Sequence, residues 1–277
     1  MFMATKKSAS TVKKKPVAKK ASASVAKTTK VTTVRTVSAP ARAKAFSFSR
    51  SPVLAGSIAE FVGTFLLAAI VLATQGSAIM VFFALIAIVL AVGSISGAYV
   101  NPLLTVGAWA TRRLSHVRAA SYIVAQVLGA LMALVVVNGF ISAAPQATSQ
   151  TAMFGQQGAT LFKAGAIAEG KEWYVLAAEL LGAVIFSFAV AAAVREKSRG
   201  ATAVGVAGGL LLALVISTYC ISAVNTGGGA VVNPAIAAAI QAISFKVWPI
   251  MIYVVTPLIG GIVGFMLHDM LRDEASA

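Results

Sequence analysis

Ser94-Ile95-Ser96-Gly97-Ala98-Tyr99-Val100-Asn101-Pro102-Leu103 and, far downstream, Asn225-Thr226-Gly227-Gly228-Gly229-Ala230-Val231-Val232-Asn233-Pro234-Ala235 decide how the rest of the chain is read. Each is a glycine-bearing bend that runs into Asn-Pro and then into a short apolar stretch. Asn is a favoured helix N-cap. Pro suits the first helical turn, where its missing N–H would be unpaired in any case. Each Asn-Pro therefore predicts a helix start, with half-helices over about Pro102–Thr111 and Pro234–Ile243. A helix N-terminus inside a hydrophobic chain is costly unless it lines a cavity. Two of them, one in each half, predict half-helices whose positive ends meet near the middle of a membrane.

The surroundings of both segments fit that setting. Of 277 residues, 58% are hydrophobic and 11% charged. Apolar runs cover about Val53–Thr74, Ala78–Ile95, Val117–Ile141, Trp173–Val194, Ala203–Val224 and Val247–Leu267. Each is close to the roughly 20 residues that a helix needs to cross a bilayer. The fold class is all-α and integral to the membrane, with six crossings and two re-entrant half-helices. A polar loop of roughly 30 residues separates the third crossing from the fourth, and the chain on either side of it follows one plan (about 53–141 and 173–268). Ala59-Glu60-Phe61-Val62-Gly63 in the first crossing recurs as Ala178-Glu179-Leu180-Leu181-Gly182 in the fourth. Three crossings per copy is an odd number, so the second copy is inserted upside down, as in other inverted repeats with broken helices.

The net charge of +15 belongs to one end of the chain. Residues 1–50 carry 13 Lys or Arg and no acidic residue, whereas the remainder carries 10 basic and 8 acidic residues. With large aromatics only at Phe2, Phe46 and Phe48, this segment cannot bury enough apolar area to offset its ordering entropy, and it predicts a disordered, solvated cytosolic tail. It lacks the apolar core of a secretory signal. An organelle transit peptide and a nucleic-acid-binding arm are the alternatives; nucleic acid is not an expected partner, whereas anionic lipid is. The membrane domain then covers 51–272, with a short tail at 273–277. Arg112, Arg113, Arg118, Arg195, Lys197 and Arg199 fall on the side of the basic tail, against only Lys163, Lys171 and Lys246 on the other. The positive-inside rule places both termini in the cytosol.

Candidate functional groups are few. If the side-chain oxygens of Asn101 and Asn233 cap their half-helices, their amide NH₂ groups are left free to face a lumen. Glu60 and Glu179 are carboxylates within apolar helices, and such groups invite either a proton relay or a structural role towards irregular backbone. The run Gly227-Gly228-Gly229 has neither the following Lys-Ser/Thr nor the preceding strand of a phosphate loop, and reads as a bend. One cysteine, Cys220, excludes an intramolecular disulfide. With two histidines, His116 and His268, and no ligand cluster, neither a metal nor another cofactor nor catalysis is expected.

From Ala59 to Asp269 the chain resembles the aquaporins, or major intrinsic proteins. The resemblance rests on the boxes Asn101-Pro102-Leu103 and Asn233-Pro234-Ala235 in register with the repeat. Ala59-Glu60-Phe61, Ile95-Ser96-Gly97-Ala98, Tyr122-Ile123-Val124-Ala125-Gln126 with Gly129-Ala130, and Pro257-Leu258-Ile259-Gly260-Gly261 add to it. It implies six tilted helices and two half-helices around a narrow pore, with four subunits in a homotetramer. It also implies that Glu60, Glu179 and Gln126 support the backbone ahead of the half-helices. The chain departs from the family at Leu103, where Ala is usual, and at Ile236, where most members carry the arginine of the outer filter. The segment between Thr226 and Asn233 is also about two residues longer than usual. Counting back without gaps from Asn101 puts Val81 at the family's filter position in the second crossing, and counting back from Thr226 puts Tyr219 at that of the fifth. With Ala230 and Ile236 they make a candidate selectivity filter that is apolar and lacks a fixed cation. These departures, and the basic charge, are similar to those of the small basic intrinsic proteins of plants.

The expected function is passive conduction of water or a small neutral solute. Opposed half-helix dipoles and amide donors would repel cations and interrupt a proton-conducting water chain, as in aquaporin-type pores. A secondary transporter with inverted repeats, and a tether that uses the basic tail beside a vestigial pore, are the alternatives.

Overall fold

The computed structural model describes residues 51–144 and 158–275; the basic tail, residues 145–157 of the long polar loop and the last two residues lie outside the described residues. Helix α1 (Pro52–Ala73) turns at Thr74–Ser77 into α2 (Ala78–Ser96), the short α3 (Pro102–Ala110) follows, and α4 (His116–Ala143) completes the first half. The second half contains α5 (Glu172–Ala193), α6 (Arg199–Ala223) and the short α7 (Pro234–Ala239). It ends with α8 (Val247–Ile250), which passes through a π-helical turn at Met251–Val255 into α9 (Thr256–Ala275). Six spans are long and apolar enough to cross a membrane, the last running from Val247 to Glu274. The final helix therefore continues past the expected end at Leu267, places His268 inside a helix and carries the supposed tail from residue 273 as far as Ala275. The second half-helix is shorter than expected, six residues against nine in the first.

The two halves exchange their short helices. Helix α3 packs against α9 of the other half, and α7 packs against α4, while α2 and α6 meet at the centre. In hydrocarbon the attraction between helices comes from close packing rather than from expelling water, so small residues occupy these contacts. A Cβ on Gly261 would run into the carbonyl oxygen of Leu103, and one on Gly107 would stand 2.6 Å from the carbonyl oxygen of Gly261. Large apolar side chains such as Phe83, Val135 and Phe140 remain exposed on the outer faces, where lipid and not water is the solvent.

Different contacts tie each end of the bundle. At one end Asp269 Oδ1 accepts hydrogen bonds from Arg113 at 2.6 Å and Arg195 at 3.0 Å, which ties the end of α3, the α5–α6 turn and α9 together. At the other end the α1–α2 turn meets the stretch before α5: Gln75 Nε2 donates to the Thr160 carbonyl at 2.8 Å, and the Phe162 ring lies on Gly76.

Candidate functional site

The site is assembled where the two half-helices begin. Asn101 caps α3 by accepting from the Leu103 N–H at 3.0 Å. Asn233 caps α7 by accepting from Ala235 at 3.0 Å and Ile236 at 3.3 Å. The backbone just ahead of each cap is forced into the left-handed region at a β-branched residue, with φ of 41° at Val100 and 51° at Val232. That conformation is rare for such residues and persists only where the surroundings impose it. Two buried carboxylates sit at these points. Glu60 accepts from the N–H groups of Tyr99 at 3.0 Å and Val100 at 2.6 Å, and Glu179 accepts from Val231 at 2.6 Å and Val232 at 2.9 Å. Gln126 Nε2 donates to Glu60 at 2.7 Å and to Thr105 at 2.9 Å.

Glycine lets α1 and α5 come this close. A Cβ on Gly63 would stand 2.5 Å from the Val100 side chain, and one on Gly182 would stand 2.9 Å from that of Val232. The shared Glu-x-x-Gly of the two repeats therefore has a geometric meaning. In each copy the acid holds the turn, and the glycine one helical turn later makes room for it.

The amide groups are not wholly free, which corrects the expectation from the sequence. Asn101 Nδ2 donates to the Val232 carbonyl at 2.8 Å, and Asn233 Nδ2 donates to the Val100 carbonyl at 3.2 Å. Each cap thus reaches across to the residue that precedes the other cap. An amide carries two N–H donors, so one on each is committed to this reciprocal tie and one is left. No sequence pattern signals the pairing, because the partners stand 131 and 133 residues apart.

Above Asn233 lies a cavity walled by Leu67 and Val71 of α1, Val81 of α2, Leu210 and Leu214 of α6, and Ile236 and Ile240 at α7. The Gly228–Val231 stretch forms another wall, and Phe162 and the exposed Lys163 line the cavity where it opens. Val81, Ala230 and Ile236 therefore share one cavity. Tyr219 does not: it is 75% exposed on the outer face of α6, and Leu210 and Leu214 line the cavity in its place. Five residues along a helix amount to about 140° of net rotation from Leu214, which turns Tyr219 outward. Counting back from Thr226 failed because α6 ends at Ala223 and the chain then turns, with Asn225 at φ 48° and Gly227 at φ 67°. The i, i+4 spacing of Leu210 and Leu214 was the available signal. At the opposite end a second cavity is lined by Val89, Tyr99, Val194 and Arg199, among others.

The model of the family "Major intrinsic protein" matches residues 47–268. The chain belongs to the major intrinsic protein family. Aquaporin Z of Photorhabdus laumondii is similar at 31% identity over 187 residues, which spans 66% of this chain and 77% of that one. Glycerol uptake facilitator protein-like 6 of Lactiplantibacillus plantarum is 31% identical over 230 residues, 78% of this chain and 98% of its own. The X-ray structure of the aquaglyceroporin from Plasmodium falciparum shares the fold, with a TM-score of 0.54 at 18% identity over 80% of this chain and 96% of that one. This major intrinsic protein is thus a multi-pass membrane protein of a family of passive channels. Of its two reciprocally tied caps, Asn233 lines the apolar cavity.

Proposed function

We propose that the chain conducts water and small neutral solutes down their gradients, through a pore that runs from the cavity above Asn233 past the paired Asn-Pro turns. The observation that carries this reading is the pair of buried asparagines that cap opposed half-helices and retain one amide donor each. A solute oxygen passing between two such donors is held, while the positive ends of the half-helices disfavour cations. Glu60, Glu179 and Gln126 act as positioning groups for these turns, and Val81, Ala230 and Ile236 set the apolar width above them. The names of the relatives, an aquaporin and a glycerol uptake facilitator, support both water and a small polyol as candidates. A homotetramer is the assembly that the family resemblance favours. The test is stopped-flow light scattering of proteoliposomes challenged with sucrose, glycerol and urea in turn. A channel swells or shrinks the vesicles without an ion gradient; flux that requires one, or no flux from well-assembled protein, overturns the proposal.

Orientation completes the reading. Asp269 joins Arg113 and Arg195 at one end, and the positive-inside rule favours a cytosolic side for that end and for both termini. Residues 1–50 would then face the inner leaflet, whose anionic lipids attract basic segments by about 1 kcal/mol for each residue near the surface. External protease on intact cells is expected to leave the tail uncut until the membrane is permeabilised. A peptide of residues 1–50 is expected to bind anionic vesicles and to be released by salt. Trimming from outside, or equal affinity for neutral vesicles, contradicts these two points respectively.

A further inference from the structure

The cavity above Asn233 has only two polar side chains among the described residues that line it, Asn233 at its base and Lys163 at its mouth. Lys163 is the one that carries a charge. Among the described residues its ammonium takes part in no ion pair. The nearby acids Glu169 and Glu172 do not line the cavity.

An exposed loop lysine is ordinarily a solvated charge that touches nothing. Two observations separate Lys163 from that case. Its backbone is held from three directions. Thr160 accepts from Gln75 of the α1–α2 turn at 2.8 Å, Ala164 N–H donates to the Ile240 carbonyl at the end of α7 at 2.9 Å, and Ala168 N–H donates to the Thr226 carbonyl at 2.7 Å. Ile167 also pairs with Gly227 in an antiparallel bridge, so the stretch is stitched to the same segment that leads into Asn233. The second observation concerns what lies beneath. Ile236, Val81 and Leu214 make the cavity wall apolar, so no other side chain there contributes charge. A charge at the rim of a cavity with low-dielectric walls acts on passing ions more strongly than one on an open surface.

We propose that Lys163 is a specificity-determining residue of this channel, a fixed positive charge at the pore mouth that excludes cations from a cavity whose own walls carry none. Charge discrimination is thereby separated from width: the apolar wall sets the bore, and a pinned loop outside the helices sets the sign. Neutral solutes gain or lose little from Lys163, whereas ions of water's size are sorted by it. The inference rests on the channel reading above.

The test compares water with ammonium, which match in size, so that their ratio reports charge rather than bore. Wild type, Lys163→Arg, Lys163→Met and Lys163→Glu are reconstituted in proteoliposomes. Osmotic water permeability and ammonium entry driven by an inside-negative potential are then measured at mildly acid pH. Water permeability is expected to stay within about twofold across the set. Ammonium entry per unit of water permeability is expected to match wild type in Lys163→Arg, to rise about threefold in Lys163→Met, and to rise by about tenfold or more in Lys163→Glu. Added salt should narrow these differences by screening. An unchanged ratio in Lys163→Glu with water flux intact overturns the role of Lys163 and leaves the channel standing. Absence of water and solute flux in assembled wild-type protein overturns the channel reading, and the role of Lys163 with it.

Discussion

Glu60→Leu and Glu179→Leu are each expected to give protein that assembles poorly and conducts nothing. Leu at 179 strands the buried N–H groups of Val231 and Val232, both donors to the carboxylate. An orphaned buried donor costs about 1–3 kcal/mol, so the pair costs about 2–6 kcal/mol. This falls on a turn already held in a rare backbone conformation at Val232. Leu at 60 strands Tyr99 and Val100 in the same way and also releases the Gln126 amide. The conservative variants separate the two sites. Gln at 179 keeps one accepting oxygen for two donors and should be mild. Gln at 60 must serve three donors with one oxygen, so it should be the more damaging. Thermal stability in detergent, followed by water permeability after reconstitution, reads both effects. A proton relay would give a different pattern, in which Gln and Leu are equally inactive while the protein remains well assembled.

Ile236→Arg is expected to narrow the pore selectively. Ile236 is buried, follows directly on the second Asn-Pro box and lines the same cavity as Val81 and Ala230. A guanidinium there adds bulk and up to five N–H donors beside the Gly228–Val231 wall. Glycerol and urea fluxes should fall by about tenfold or more, equivalent to about 1.4 kcal/mol of added barrier, while water flux falls by less. The measurement is solute flux of the two proteins in matched liposomes. Unchanged solute discrimination by a stable variant would show that Ile236 does not border the conducting path.

Several features of this architecture were written in the order of the residues. A bilayer demands about 20 apolar residues per crossing, so six spans follow from composition along the chain. Asn followed by Pro starts a helix for local reasons of capping and ring geometry, so Asn101 and Asn233 could be placed at the heads of α3 and α7 without any tertiary knowledge. The repeated Glu and Gly of α1 and α5, and the segregation of arginines to one end, are also local or periodic signals.

Only the tertiary structure decided which groups face one another. The reciprocal bonds from each asparagine to the residue before the other join positions more than 130 apart, and nothing in either box encodes its partner. Tyr219 stood at the filter by counting and stands on the lipid side in space, because the turn after Ala223 breaks the register on which the count relied. Lys163 was one basic residue in a long polar loop, and it became the charge at the pore mouth only through the bond from Gln75 and the bonds to the Ile240 and Thr226 carbonyls that hold its segment beside the cavity. Helix starts and membrane spans depend on the few residues around them and are legible in order. The walls and mouth of a pore depend on how far each helix has rotated and where each loop returns, and those are settled by packing across the whole molecule.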